Sequence, residues 1–217
     1  MMRPKDPRAK TGELARVYLF NRPGAQNTSK VIKAVKRRIH SGGISRVLVA
    51  SESGRLALGL KKVLGKTTVV CVTCNDEARR KYQKPPLMKD QLFKHGIEIV
   101  DDVEEPLTHK LSFRNWWEGK TIDLPGQNAD LFWMTLICVG GHGLRTAVEI
   151  AFMAVEAGAV SVGERVVSVA GTGWGADSAI VMKTSKFDNA VGKEPGKMMK
   201  VEEILAMPKV AEWKGYG

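Results

Sequence analysis

The sequence has few cysteines, few aromatic residues and no long hydrophobic run. Its 3 cysteines among 217 residues are too few for a disulfide framework, and free thiols are typical of a reducing compartment. No run of about 18 apolar residues occurs, so we expect no segment that spans a membrane. The stretch 1–8 carries charges without an apolar core behind them, unlike a secretory signal. Together these features predict a cytoplasmic protein.

Two of the cysteines, Cys71 and Cys74, have the spacing of a redox or metal-binding motif. They fall on a stretch whose pattern indicates a buried strand, where side chains three positions apart point to opposite faces. We therefore expect neither a metal site nor a disulfide at this pair.

Positive charge exceeds negative charge in this chain. The 34 Lys and Arg residues against 23 Asp and Glu residues give a formal net charge of +11. Such a balance suits phosphorylated ligands, acidic surfaces or nucleic acid. The charges are spread along the chain without the like-charge runs of a binding tail, and no RNA-recognition, KH or zinc-finger signature is present. A solvated basic surface is the simplest interpretation, with nucleic acid kept as an alternative partner.

Apolar patterning alternates between strand and helix along the chain. Predicted strands span 16–20, 47–50, 67–73, 97–100, 165–170 and 178–183, and predicted helices span 27–40, 56–64, 87–95, 130–139, 144–155 and 201–207. Strands separated by helices predict right-handed crossovers and a parallel sheet. Because the loop 171–177 is too short for a parallel crossover, the strands on either side of it should be antiparallel.

This pattern predicts an α/β fold with a mostly parallel sheet and an antiparallel strand at one side. We expect a flexible basic leader over residues 1–15, a single domain over 16–208 and a flexible tail over 209–217.

The turn from Ser51 to Arg55 joins a predicted strand to a predicted helix and carries the clearest chemical signal. The first N–H groups of a helix lack intrahelical partners, and the helix dipole adds positive charge there. Ser51 and Ser53 supply hydroxyls, Gly54 leaves room for an anion, and Arg55 supplies a full charge. The turn suits phosphate; the alternative is a plain serine N-cap.

Further polar segments follow other predicted strands. Ligands of open α/β sheets bind beyond the carboxyl ends of the parallel strands, which here are followed by 21–24, 51–55, 73–75 and 171–177. The glycine-rich segment 171–177 does not match the dinucleotide-binding fingerprint, because it leads into a strand and that fingerprint opens a helix. It is either a flexible hairpin tip or a loop whose Trp174 stacks on a planar ring. His142 and Glu149 could act as acid or base, although helix packing and a helix-face charge are the alternatives.

These motifs together resemble the C-terminal α/β domain of pyruvate kinase. Ser51–Arg55 resembles its effector phosphate loop, Val72–Asn75 its next strand end, and Thr172–Trp174 its late effector-loop region. The chain is closer still to a family of small stand-alone proteins, best known in archaea and named for that domain. That similarity, over about Val17 to Pro208, is carried by Pro23-Gly24, Asn27-Thr28, Ser51, Ser53-Gly54, Gly141-His142-Gly143-Leu144, Glu149, Gly171, Gly173 and Gly175-Ala176-Asp177.

The resemblance implies a three-layer α/β/α sandwich with a phosphate-binding edge. It also implies a phosphorylated ligand, with FMN as the leading candidate and a sugar phosphate as the alternative, and no pyruvate kinase activity, since that chemistry resides in a separate barrel domain. The candidate ligand-binding residues are Asn27, Thr28, Ser51, Ser53, Gly54, Arg55, Thr73, Asn75, His142, Gly143, Gly171, Thr172, Gly173 and Trp174. Three functions stay open: a ligand-binding or regulatory protein, a flavin-dependent enzyme of unknown substrate, and a basic nucleic-acid-binding protein. Homo-oligomerisation also stays open.

Overall fold

Seven strands form one central sheet in the computed structural model, which describes residues 16–103, 111–114, 120–124, 127–194 and 196–210. These strands are β1 (Tyr18–Phe20), β2 (Arg46–Ala50), β3 (Thr68–Val72), β4 (Glu98–Val100), β7 (Arg165–Ala170), β8 (Ser178–Lys183) and β9 (Lys200–Pro208). A separate antiparallel hairpin consists of β5 (Leu111–Arg114) and β6 (Thr121–Leu124). The helices are α1 (Thr28–His40), α2 (Arg55–Leu64), α3 (Asp76–Lys81), α4 (Lys89–Lys94) and α5 (Gln127–Glu156).

The strand order across the sheet is β1-β9-β8-β7-β2-β3-β4. Every neighbouring pair is parallel except the two that involve β8, which runs antiparallel to both β7 and β9. The predicted mostly parallel sheet with an antiparallel strand is thus confirmed, with that strand third from the edge formed by β1. Its reversal brings the start of β8 to the same edge as the ends of the parallel strands.

Helices cover both faces of the sheet, because alternate side chains of each buried strand point to opposite sides. Val47 and Val49 of β2 pack into one apolar cluster with α1, α2 and α4, whereas Leu48 packs into the other cluster with α5. Strands buried on both faces read as the near-continuous apolar runs that the sequence contains. The three-layer α/β/α arrangement is therefore as predicted.

Helix α5 is bent where Gly140 and Gly141 leave the helical conformation, Gly141 with a φ of +77°. The sequence predicted two helices here, and the bend separates them. Residues 130–139 are apolar nearly all round, which predicts a buried helix; this is wrong for one side of the helix, because Leu131, Met134 and Val139 are exposed.

The stretch Asp130–Glu156 of α5 is, among the described residues, the one helix long and apolar enough to cross a membrane by length and composition. However, 67% of its apolar window is buried inside the fold, where α5 packs against β2, β7 and β8.

The predicted helix over 201–207 is wrong, because these residues form β9 between β1 and β8. Glu, Leu, Ala and Met are strong helix formers, and the apolar residues of this segment recur at spacings of three and four. The segment therefore favours a helix locally. In the fold, the segment pairs with strands on both sides, and Arg165 pairs with the consecutive carboxylates of Glu202 and Glu203 at 2.6 and 3.0 Å. A register shift in the β8–β9 ladder lies beside these residues. Tertiary pairing thus outweighs local propensity.

Two elements were not predicted, namely the short helix α3 and the β5–β6 hairpin. The Trp116-Trp117 pair, the predicted leader 1–15 and the end of the predicted tail lie outside the described residues.

Four aromatic rings pack together, three of them on α5 and the fourth, Phe187, in the segment after β8. Phe152 is fully buried, and its ring centroid lies 6.4 Å from that of Phe132, 6.2 Å from that of Trp133 and 5.3 Å from that of Phe187. Trp133 and Phe187 stack at 5.4 Å. The cluster fixes α5 against the loop that follows β8.

We predict that Phe152→Ala lowers the free energy of unfolding by about 3–5 kcal/mol, because it leaves a cavity that the surrounding rings cannot fill. Urea denaturation followed by circular dichroism measures the loss. Phe93→Ala is the matched control, since Phe93 is 65% exposed, and should change stability by no more than about 0.5 kcal/mol. Equal losses in the two variants would contradict the packing described here.

Candidate functional site

The polar segments after β2, β3 and β7 lie side by side at one edge of the sheet. The register Val49↔Val169 between β2 and β7 brings Ser51 level with Gly171. The register Ala50↔Val72 between β2 and β3 brings Ser51 level with Thr73, and the Ser51 amide donates to the Val72 carbonyl at 3.1 Å. Since neighbouring strands lie about 4.8 Å apart, these three segments form one continuous surface. We call it the carboxyl edge.

The turn from Ser51 to Arg55 joins β2 to α2, as the sequence predicted. Gly54 has a φ of +84°, which favours glycine at this position. The Ser51 hydroxyl accepts from the Leu56 amide at 3.3 Å, and the Ser53 hydroxyl accepts from the Arg55 amide at 3.5 Å. Both serines thus accept long bonds from amides of the first turn of α2, whereas the N-cap residue itself is Gly54. Each hydroxyl also carries a proton that it can donate to a ligand oxygen.

The Arg79 cluster (Glu52, Thr73, Cys74 and Arg79) holds this turn against the end of β3. The buried guanidinium of Arg79 donates to the carbonyl of Glu52 at 2.6 Å, the hydroxyl of Thr73 at 2.8 Å and the carbonyl of Cys74 at 3.2 Å. The Glu52 carboxylate accepts from the Thr73 hydroxyl at 3.2 Å and the Cys74 thiol at 3.1 Å. Thr73, a predicted binding residue, is thereby committed to internal bonds.

The two cysteines near this edge are held as thiols. Burial raises the pKa of Cys71 to about 12, and the charge of Glu52 adds to the rise. Burial also raises the pKa of Cys74 to about 11, with a further contribution from its hydrogen bond to Glu52. Neither group forms a nucleophilic thiolate near neutral pH.

The Asp177 cluster (Gly24, Thr172, Asp177 and Ser178) organises the other half of the carboxyl edge. Asp177 is fully buried. Its carboxylate accepts from the amide of Gly24 at 2.8 Å, the amide of Thr172 at 2.9 Å and the hydroxyl of Ser178 at 2.9 Å. The loops after β1 and β7 are thus joined to the start of β8 through one charged side chain.

Gly143 packs against this cluster so closely that no side chain fits there. A Cβ atom at Gly143 would collide with the Asp177 carboxylate and the Ser178 hydroxyl. Gly143 is therefore a packing position between α5 and the sheet, and a role in ligand binding is not needed to explain it. Thr28 performs a similar task at the start of α1, because its hydroxyl accepts from the Ala176 amide at 2.9 Å.

The remaining predicted residues divide into inward and outward positions. Asn27 is buried and donates to the Arg22 carbonyl at 2.8 Å. Asn75 caps α3 by accepting from the Ala78 amide at 2.8 Å. His142 is half-buried directly after the bend of α5. Trp174, between Gly173 and Gly175, is 67% exposed at the tip of the loop.

Thr172 has one polar group that is hydrogen-bonded within the fold and one that is not. Its backbone amide is bound to Asp177, but its buried hydroxyl oxygen has no hydrogen-bond partner among the described residues.

A depression of about 410 Å³ lies at the outer end of the carboxyl edge, beyond β3 and β4. Its lining residues are Asn75, Asp76, Glu77, Lys89, Asp101 and Asp102. Lys89 pairs with Asp101 at 2.9 Å and with Asp76 at 3.6 Å, and these bonds raise the pKa of Lys89. With four carboxylates and one ammonium group, this depression repels an anion. The other part of the carboxyl edge, formed by the Ser51 turn and the loop 171–177, lacks this excess of carboxylates.

Sequence reasoning placed the strand ends correctly but missed the residues that hold them. Arg79 lies on α3, which is too short to show helical periodicity. Asp177 was noted as part of a motif, yet its importance comes from burial. An ionisable residue directly before the apolar strand β8 is the signal that could have found it.

The chain matches none of the known protein-family models.

We predict that Asp177→Ala lowers the free energy of unfolding by at least about 3 kcal/mol, because three donors lose their acceptor and each buried unsatisfied donor costs about 1–3 kcal/mol. Thermal and urea denaturation measure the change. Asp188→Ala provides the control, since this exposed carboxylate lies 3.8 Å from Lys193 and such pairs contribute about 0–1 kcal/mol. Similar small effects of both substitutions would show that the Asp177 cluster does not order this edge.

We predict that iodoacetamide at pH 8 alkylates exposed Cys138 far faster than Cys71 or Cys74. At that pH both raised pKa values keep the thiols protonated, and Cys74 should become reactive only as the pH approaches its pKa of about 11. Peptide mass spectrometry measures each rate. Glu52→Gln removes a charge that raises the Cys74 pKa and should speed its alkylation; rapid labelling of Cys74 in the unaltered protein would contradict the assignment.

Proposed function

We propose that the protein binds a phosphorylated small molecule at the carboxyl edge, with FMN as the leading candidate. The observation that carries this proposal is the buried Thr172 hydroxyl without a partner among the described residues, in the segment level with the Ser51 turn. A buried polar atom left unpaired costs free energy. Because this oxygen is closed to solvent, a ligand oxygen at this edge would satisfy it only with a shift of the loop 171–177.

The charges around the Ser51 turn support an anionic ligand. Arg55 is exposed, and no carboxylate of the described residues forms an ion pair with it. Glu52 is the carboxylate nearest to Arg55 in the sequence. It accepts hydrogen bonds from Thr73 and Cys74 and pairs with Arg79. The helix N-terminus adds partial positive charge at the same turn. Ser51, Ser53 and Arg55 would therefore hold the phosphate.

An exposed indole supports a ligand with a planar ring. Trp174 stands on the loop level with the Ser51 turn and is mostly exposed although tryptophan is costly to leave in water. Stacking of an aromatic ring on it would contribute about 0.5–1.5 kcal/mol beyond the area buried. FMN combines a phosphate with such a ring, in agreement with the resemblance to the stand-alone pyruvate kinase C-terminal domain-like proteins. When bound, its isoalloxazine would supply redox chemistry.

A binding or regulatory role is better supported than a flavin-dependent enzyme. An enzyme needs a proton donor or a substrate-orienting residue beside the ring, and the sequence offered His142 and Glu149. Glu149 is buried and pairs with Arg145 at 2.8 Å. The Arg145 guanidinium lies over the Trp133 ring at 5.2 Å, inside the α5 packing. Glu149 thus serves the fold, which leaves His142 alone as an acid or base.

We predict that FMN binds the ligand-stripped protein saturably and quenches flavin or tryptophan fluorescence. Arg55→Glu should weaken binding at least about tenfold, because it removes one charge-assisted hydrogen bond worth about 1.5–3 kcal/mol and adds repulsion. Trp174→Ala should reduce the quenching. Gly54 is a poorer target, since its positive φ and the approach of a Cβ atom to Leu92 at 3.0 Å would strain any replacement.

The control for this titration is Lys62→Glu, an equal charge reversal at the far end of α2. It should leave the FMN affinity within about twofold, because exposed charges beyond a Debye length are largely screened. Ribose 5-phosphate serves as a second probe; a rise in melting temperature with it and none with FMN would replace the flavin by a sugar phosphate. Absence of both responses would overturn the proposed site. The same preparation should give no turnover of ADP and phosphoenolpyruvate in a coupled assay.

A further inference from the structure

The net charge of the chain comes from one segment. Residues 14–75 contain 12 Lys and Arg residues and a single acidic residue, Glu52. The rest of the chain contains 22 basic and 22 acidic residues, which cancel. The whole formal charge of +11 therefore belongs to β1, α1, β2, α2 and β3 with their connections.

The fold places the exposed part of this charge on one side of the molecule. Helices α1 and α2 lie next to each other in the same layer, where a Cβ atom at Gly59 would contact Ile32. Neither helix contains an Asp or Glu residue. Their outward side chains form the α1–α2 basic face. Its members are Lys30, Lys33, Lys36, Arg37, His40 and Lys62.

Some basic residues of this segment form ion pairs, but those residues are not members of the α1–α2 basic face. Arg38 pairs with Glu203 at 2.7 Å, and Arg46 pairs with Glu164 at 3.1 Å. Among the described residues, no carboxylate forms an ion pair with the Lys or Arg residues of the α1–α2 basic face. Arg37 donates to the Arg16 carbonyl at 2.8 Å, which fixes its side chain without cancelling its charge.

Helix stabilisation explains only part of this pattern. Arg37 and His40 lie in the last turn of α1, where cations complement the helix dipole. Lys30, Lys33 and Lys36 lie before that turn and gain little from the dipole. A depression of about 440 Å³ on the same face is lined by Lys33, Lys36, Arg37, His40 and Ser41, so these groups converge on one surface.

We propose that the α1–α2 basic face binds the phosphate backbone of a nucleic acid, independently of the small-molecule site. Helix α1 is about 20 Å long, enough to lie beside several phosphates of a duplex. Its outward cations recur about once per turn and are mostly lysines, which act as point charges on phosphates and do not read bases. Binding should therefore be independent of sequence.

An anionic membrane is the weaker candidate for this face. Stable membrane binding needs apolar groups in addition to charge. Within the described part of the chain, the exposed large apolar side chains all lie outside residues 20–81. The α1–α2 basic face offers charge alone, which suits a polyanion that stays in water.

Fluorescence anisotropy with a labelled DNA duplex of mixed sequence and a single strand of the same sequence tests this proposal. We expect binding at about 50 mM salt that weakens steeply as salt rises, with a duplex slope of log K against log salt of about −0.9 per neutralised phosphate. The variant Lys33→Gln, Lys36→Gln, Lys62→Gln should bind at least about tenfold more weakly. Its slope should be flatter by about 0.9 for each phosphate that the protein no longer neutralises.

The matched control is Lys183→Gln, Lys186→Gln, Lys209→Gln, which removes three exposed charges from outside residues 14–75. It should retain nearly all the affinity and slope. Equal weakening by both triple variants would overturn the proposal, because net charge alone would then explain binding. Absence of binding at about 50 mM salt, where electrostatic association is strong, or preference for phosphatidylserine vesicles over DNA, would also overturn it. Circular dichroism of both variants confirms that they are folded.

Discussion

The carboxyl edge depends on one buried carboxylate. Asp177 is fully buried, and a buried charge is tolerated only when hydrogen bonds replace the water that it has lost. Its donors come from three places, the loop after β1, the loop after β7 and the start of β8. The close packing of Gly143 adds α5 from the opposite layer. The requirement to satisfy one charge thus fixes four segments that are distant in the chain.

The other half of the edge is also ordered by one buried charge, here the positive guanidinium of Arg79. Buried Arg79 donates to oxygens of the Ser51 turn, of the end of β3 and of Pro85. Because buried charges already order both loops, a ligand would not have to supply that ordering free energy itself. What the loops leave for a ligand is a small set of donors, namely the serine protons, Arg55 and the unpaired hydroxyl of Thr172.

The sequence predicted those parts of the structure whose signal is local. Periodic apolar positions located α1, α2 and the strands β2, β3, β7 and β8, and the short loop 171–177 predicted the direction of β8. Residues 201–207 show helical spacing, and only their pairing with β1 and β8 makes them a strand. At the site, strand ends could be predicted because every parallel strand ends at the same edge. The roles of Arg79 and Asp177 could not, because they arise from burial by residues far away in sequence. The restriction of the net charge to residues 14–75 needed only counting, yet its meaning required the adjacency of α1 and α2.

Helices α1 and α2 carry two kinds of positive potential that differ physically. At their N-termini, at the carboxyl edge, the potential comes from backbone amides and fixed hydroxyls, which are partly shielded from solvent and suit a single phosphate. Further along, it comes from long, solvated side chains that oppose the negative end of the helix dipole. Salt screens exposed charges far more than partly buried dipoles. Rising ionic strength should therefore weaken binding at the α1–α2 basic face more than binding at the Ser51 turn, so salt would distinguish the two proposed anion-binding surfaces of this pair of helices.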